Sequence, residues 1–123
     1  MGQDAVDLIP REQLAWLAGL LEGEGCFALN GGSHPNIILS MTDRDVVERA
    51  HHIAGVGHVN QFATYGGKYK AQWRWKVSKK DHVFALCRVL LPFMGARRTA
   101  KIREILALDG PSTTVPIWVK LAE

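Results

Sequence analysis

The chain has 123 residues, 47% hydrophobic and 22% charged, with a formal net charge of +3. That size carries one core and one domain, and that composition excludes disordered and fibrous classes. The longest apolar stretch, residues 83–94, is broken by Arg88 and Pro92 and falls short of the roughly 20 residues a membrane span needs.

The first residues, Met1 to Val6, lack an apolar signal core, so an intracellular protein is expected. Cys26 and Cys87 lie far apart without a partner pattern, and both are expected as buried reduced thiols. Charge is segregated: residues 1–50 hold 3 basic and 8 acidic side chains, whereas residues 51–108 hold 11 basic and 2 acidic. Lys68, Lys70, Arg74, Lys76, Lys79 and Lys80 follow one another with no acid between them. A polyanion is the natural partner of such a face, unless the face simply meets solvent.

In chain order, Pro10 suits the entry to a helix over residues 11–22, with Leu14, Leu17, Ala18 and Leu21 on one face and Gly23 and Gly25 ending it. Residues 26–30 alternate as a half-buried strand, residues 31–35 turn, and residues 36–41 form a second strand with Ile37, Leu39 and Met41 on its apolar side. Thr42 and Asp45 resemble a capping box, opening a helix whose stripe is Val46, Val47, Ala50 and Ile53 and whose stop is Gly55. Residues 56–64 and 71–78 read as another hairpin around Tyr65 to Lys68, with Trp73, Trp75 and Val77 on the apolar face. Ser78 and Asp81 open a third helix carrying Val83, Leu86, Cys87 and Leu90, which breaks near Pro92 and Gly95. A fourth helix covers residues 97–108, and residues 109–123 are expected as a flexible linker and tail in which Ile117 and Trp118 have no assigned place.

That order predicts an α+β fold, αββαββα: an antiparallel, curved, four-stranded sheet covered on one face by helices. The single domain spans residues 1–123, with its core at about 10–108. The uncovered face would present Asn30, Asn36, Ser40, Asn60, Gln72, Arg74 and Lys76, a polar and basic surface shaped for a DNA major groove. Trp73 and Trp75 belong to the core side and are not platforms for single strands. The histidines, His34, His51, His52, His58 and His82, show no zinc or HNH-like spacing.

The first helix carries Ala15, Gly19 and Gly23 at four-residue intervals. Each helical glycine costs roughly 1 kcal/mol against alanine, and close packing against a second copy would recover that loss. A symmetric pair brings Glu22 and Glu24 of each copy to one point, where repelling carboxylates at negative helix ends need a cation. Hard oxygens of this kind suit Mg²⁺, which keeps water and phosphate oxygens in its shell. Phosphodiester hydrolysis uses such an arrangement.

The segment LAGLLEGEG, Leu17 to Gly25, resembles the LAGLIDADG motif of homing endonucleases, with Leu21 for Ile, Gly23 for Ala and Glu for both Asp residues. Trp16, Cys26-Phe27, TDRD (Thr42 to Asp45), GVGHV (Gly55 to Val59) and QWRWKVSKK (Gln72 to Lys80) resemble further blocks of that family, so the likeness covers residues 10–108. It implies a LAGLIDADG homing endonuclease-like fold and a site-specific endonuclease using Mg²⁺ or Mn²⁺ to cut both strands of double-stranded DNA. One motif copy resembles the homodimeric type, which reads a long near-palindromic site. The carry-over makes Glu24 a metal ligand and catalytic acid, and Gly23 a carbonyl ligand. It gives Glu22 a structural role at the helix end, Asp43 the orienting of water, and Arg97, or Arg98 one position on, a place near the scissile phosphate. A host setting in bacterial, phage-infected or organellar cytoplasm or nucleoid is implied, with no membrane and no small-molecule substrate. The alternative on the same scaffold is a catalytically silent DNA-binding protein or an RNA splicing cofactor.

Overall fold

In a computed structural model of the chain, residues 8–62, 71–109 and 120–122 are described. A short strand β1 (Leu8–Pro10) runs into helix α1 (Arg11–Glu24), followed by β2 (Gly25–Asn30), β3 (His34–Met41), α2 (Arg44–Ala54), β4 (His58–Phe62) and β5 (Gln72–Val77). Helix α3 (Lys80–Leu90), a 3-10 turn (Leu91–Phe93), α4 (Ala96–Ala107) and β6 (Lys120–Ala122) complete it. The main sheet has the order β2-β3-β5-β4 and every pairing in it is antiparallel. Two hairpins are thus joined through their inner strands, β3 and β5, and the expected α+β sheet is present.

Register decides which face each side chain takes. Leu39 pairs with Trp75 and Ile37 with Val77, and all four are buried with Phe27 beneath the helices. The helices supply Leu14, Leu17 and Leu21 from α1, Val47 and Ala50 from α2, Leu86 and Leu90 from α3, and Ile102 and Ile105 from α4. Trp75 places its polar edge too, since its Nε1–H donates to the Val56 carbonyl at 2.9 Å.

Several boundaries depart from the sequence reading, each for a local reason. Helix α1 continues to Glu24, because Gly23 is helical and the stop falls at Gly25, whose N–H closes the last turn on the Leu21 carbonyl. A Cβ on Gly25 would stand 2.6 Å from Leu21 Cδ2, so only glycine lets the chain leave the helix this sharply. Strand β3 starts at His34, because the turn is confined to residues 31–33, where Gly31 and Gly32 have φ of 62° and 78°. Pro35 fits there because β5 pairs only from Ile37 on, leaving one side of β3 free at that point. Strand β4 begins at His58 rather than residue 56, since Gly55 and Gly57 are both left-handed, with φ of 75° and 92°.

Neither expected capping box forms. Asp43 and Lys79 occupy the N-cap positions of α2 and α3, and neither makes a side-chain cap hydrogen bond. Of the two thiols, Cys87 is buried as expected, and desolvation pushes it up to about 12. Cys26 is exposed, because it pairs with Ile38 on the uncovered face of the sheet. The turn Tyr65 to Lys68, the Gly110 to Thr114 linker, and Ile117 and Trp118 lie outside the described residues. The tail does contain one element with no counterpart in the expectations, β6, which pairs in parallel with β1.

Gly57 offers a stability test. A Cβ there would lie 2.6 Å from Trp75 Nε1 and 2.8 Å from the Lys76 carbonyl oxygen. Gly57→Ala is therefore expected to destabilise by about 3 kcal/mol, from left-handed strain plus overpacking. A lower denaturation midpoint at unchanged m-value would show this, and an unchanged midpoint would refute it.

Candidate functional site

The end of α1 organises the site. Leu14, Leu17, Ala18 and Leu21 face the core, which turns Ala15, Gly19 and Gly23 outward as one exposed line. Nothing lies within 4 Å of where a Cβ would stand on Gly19 or Gly23. The fold of one chain therefore gives these glycines no reason to be glycine. Half-buried Trp16 borders the line, with the Arg49 guanidinium 4.0 Å from its ring centroid.

The line ends at exposed Glu24. Because Gly25 pairs with Leu39, the start of β2 lies at the same edge of the sheet as the end of β3. Asp43, just past that end, belongs to this edge too, and its exposed carboxylate is not spent on capping α2. Helix α4 reaches the edge from the other side, against β2. Arg97 is exposed and Arg98 half-buried, and both line a 250 Å³ cleft with Cys26, Phe27, Lys101 and Glu104. The Nε of Arg98 is buried with no hydrogen-bond partner. Cys26 and Phe27 of this cleft stand two and three positions after Glu24, and the Glu22–Gly95 hydrogen bond joins the end of α1 to the start of α4, which carries the arginine pair. The sequence reading gave neither Lys101 nor Cys26 a role in the site. The usable signal for Lys101 was its spacing of four from Arg97 on the same helix face.

Glu22 behaves differently from Glu24. It is half-buried, and its Oε1 accepts the N–H of Gly95 at 2.8 Å, where α4 begins. A Cβ on Gly95 would be 3.2 Å from Glu22 Oε2.

One chain offers a cation only a partial shell. Among the described residues no group of three or more His, Cys, Asp or Glu could hold a metal. Glu24 gives a carboxylate, and the Gly23 carbonyl lies past the last intrahelical donor. Two hard oxygens fit Mg²⁺, which takes few protein ligands and fills its shell with water and phosphate oxygens.

On the uncovered face, Ser40, Arg74 and Asn60 stand opposite one another across three strands, with Ile38, Lys76 and His58 in the next row. Arg74 donates from Nε to Ser40 Oγ at 3.2 Å and lies 4.5 Å from the centroid of Phe62. Asn30, Asn60, Arg74 and Lys76 are exposed, and Ser40 and Gln72 half-exposed. Asn36 shares this face by register but is only 4% exposed, its amide folded onto the His34 carbonyl at 3.1 Å.

Neither a family model nor a curated protein matches the sequence. Solved structures do resemble the fold. The homing endonuclease I-CvuI, in complex with its target in the presence of 2 mM Ca, has a TM-score of 0.62 and 18% identity over 78% of this chain and 64% of that one. The chain thus spans under two thirds of that protein's length. The archaeal intron-encoded homing endonuclease I-Vdi141I, complexed with DNA, has a TM-score of 0.63 and 19% identity over 80% of this chain and 70% of that one. The group I intron-encoded I-CeuI, also with DNA, has a TM-score of 0.62 and 14% identity, over 83% and 57%. The four-stranded antiparallel sheet, the helices on one of its faces and the motif-bearing α1 together identify the architecture as the LAGLIDADG homing endonuclease fold.

Proposed function

We propose that this protein is a site-specific DNA endonuclease that acts as a homodimer. It would cut both strands of a long, near-palindromic duplex with Mg²⁺ or Mn²⁺, as intron- or intein-type homing elements do, inside a bacterial, phage-infected or organellar host. The observation that carries the reading is the exposed Ala15, Gly19, Gly23 line with open space above both glycines, ending at Glu24. A second copy placed on that line brings two Glu24 carboxylates to one axis, each with its own Asp43 and arginine pair.

The chain's residues then divide the work. Arg74, Lys76, Asn60 and Asn30 meet the groove, and the neighbouring basic side chains meet backbone phosphate. Glu24 and the Gly23 carbonyl would hold the divalent ion, which would polarise the scissile phosphate and lower the pKa of water beside it. Asp43 orients that water, while Arg97 or Arg98 meets charge that develops on the phosphate oxygens. Among the described residues no helix is long and apolar enough to cross a membrane.

The test is a supercoiled plasmid carrying the protein's own insertion site. Mg²⁺ should yield a linear product cut in both strands, and EDTA should stop cleavage while binding persists. Tight binding without cleavage under Mg²⁺ and Mn²⁺ alike would instead establish the silent DNA-binding form.

A further inference from the structure

Helix α4 starts badly by its own sequence. Its first turn contains Arg97 and Arg98 and no acid, so two cations sit at the positive end of the helix dipole. Its N-cap, Gly95, has no side chain to cap it. What the segment lacks comes from 73 residues away, where the Glu22 carboxylate accepts the Gly95 N–H at 2.8 Å. Glu22 itself lies in the last turn of α1, where a negative charge is disfavoured. One carboxylate thus sits between the negative end of one helix and the positive end of another.

Reach matters in this contact. An aspartate at position 22 would be shorter by one carbon–carbon bond, about 1.5 Å, and would leave the Gly95 N–H beyond hydrogen-bonding distance with the backbones unmoved. The motif this chain resembles has Asp at that place, and the glutamate here fits the gap to α4.

We propose that Glu22 is a positioning residue: it fixes Gly95 and the first turn of α4, so that Arg97 and Arg98 are presented beside Glu24, and it does so through a reach that aspartate lacks. The proposal rests on the endonuclease reading. It makes a counter-intuitive forecast, since changing this position toward the motif's usual residue should harm the protein.

Three full-length proteins decide the matter: wild type, Glu22→Asp and Glu22→Gln. Gln keeps the reach and an acceptor oxygen without the charge. Two readouts apply, amide hydrogen exchange at Gly95 and the metal-dependent rate of cutting measured beside DNA affinity. Glu22→Asp is expected to raise Gly95 exchange about tenfold, the effect of losing one hydrogen bond to a charged group. It should lower kcat by a similar factor with affinity for the duplex within about twofold, and Glu22→Gln should keep most of both. Wild-type exchange in Glu22→Asp, or raised exchange with unchanged kcat, would overturn the proposal, as would equal losses in Asp and Gln. A wild-type protein that cuts no DNA would sink the endonuclease reading instead, leaving the exchange comparison to decide the contact.

Discussion

Glu24→Gln should lose DNA cleavage by roughly a thousandfold or more, the equivalent of about 4 kcal/mol of transition-state stabilisation, while the protein folds and binds DNA as before. The separation follows from position. Glu24 is exposed at the last turn of α1 and takes part in none of the ion pairs among the described residues. Neutralising it leaves no buried partner stranded and relieves a charge at the negative end of a helix. The amide has nearly the carboxylate's shape but is a far poorer ligand for a hard divalent cation. Cleavage assays and titration of the same duplex would be run side by side. Cutting within about tenfold of wild type would remove Glu24 from the chemistry.

Gly19→Leu should separate folding from assembly in the opposite sense. Nothing lies within 4 Å of a Cβ at this position, so one chain accommodates the new side chain in solvent. Leucine favours the helix over glycine by up to about 1 kcal/mol, so the isolated chain should be as stable as wild type or more so. In a pair packed through α1 the same side chain wedges apart two backbones that approach only because glycine allows it. The dimer should weaken by about a hundredfold or more, measured by sedimentation against concentration, and two-strand cutting should disappear with it. A variant that stays dimeric at wild-type affinity would show that the Ala15, Gly19, Gly23 line is not the interface.

What the sequence made legible were the features with a period. The alternation of Trp73, Trp75 and Val77 against Gln72, Arg74 and Lys76 survives in β5 as core side and open side. The stripe of α1 does so too, and its complement is the exposed small-residue line. Contacts without a local pattern were not readable. The Glu22 to Gly95 bond links residues 73 apart, and neither neighbourhood announces the other. Asn36 illustrates a different gap: alternation placed it on the correct face, but periodicity does not encode that it is buried there, with its amide bonded to the His34 carbonyl. The caps misled because Thr42 and Ser78 fit a motif by residue type, while the chain enters α2 and α3 at Arg44 and Lys80.

Arg74 is held within the chain itself, by Ser40 on one side and the Phe62 ring on the other. A free arginine gives up about 2 kcal/mol of side-chain entropy when it is ordered, and here part of that freedom is already gone. A pinned guanidinium also cannot swing to a substitute acceptor when the base beneath it changes. On the proposed reading, the base pair under Arg74 is therefore the one least free to drift in a diverging target, whereas positions under the exposed, long-stemmed Lys76 tolerate change. On that reading the sheet would combine one rigid check on sequence with more forgiving neighbours, which would set how far a target can mutate before this protein ceases to recognise it.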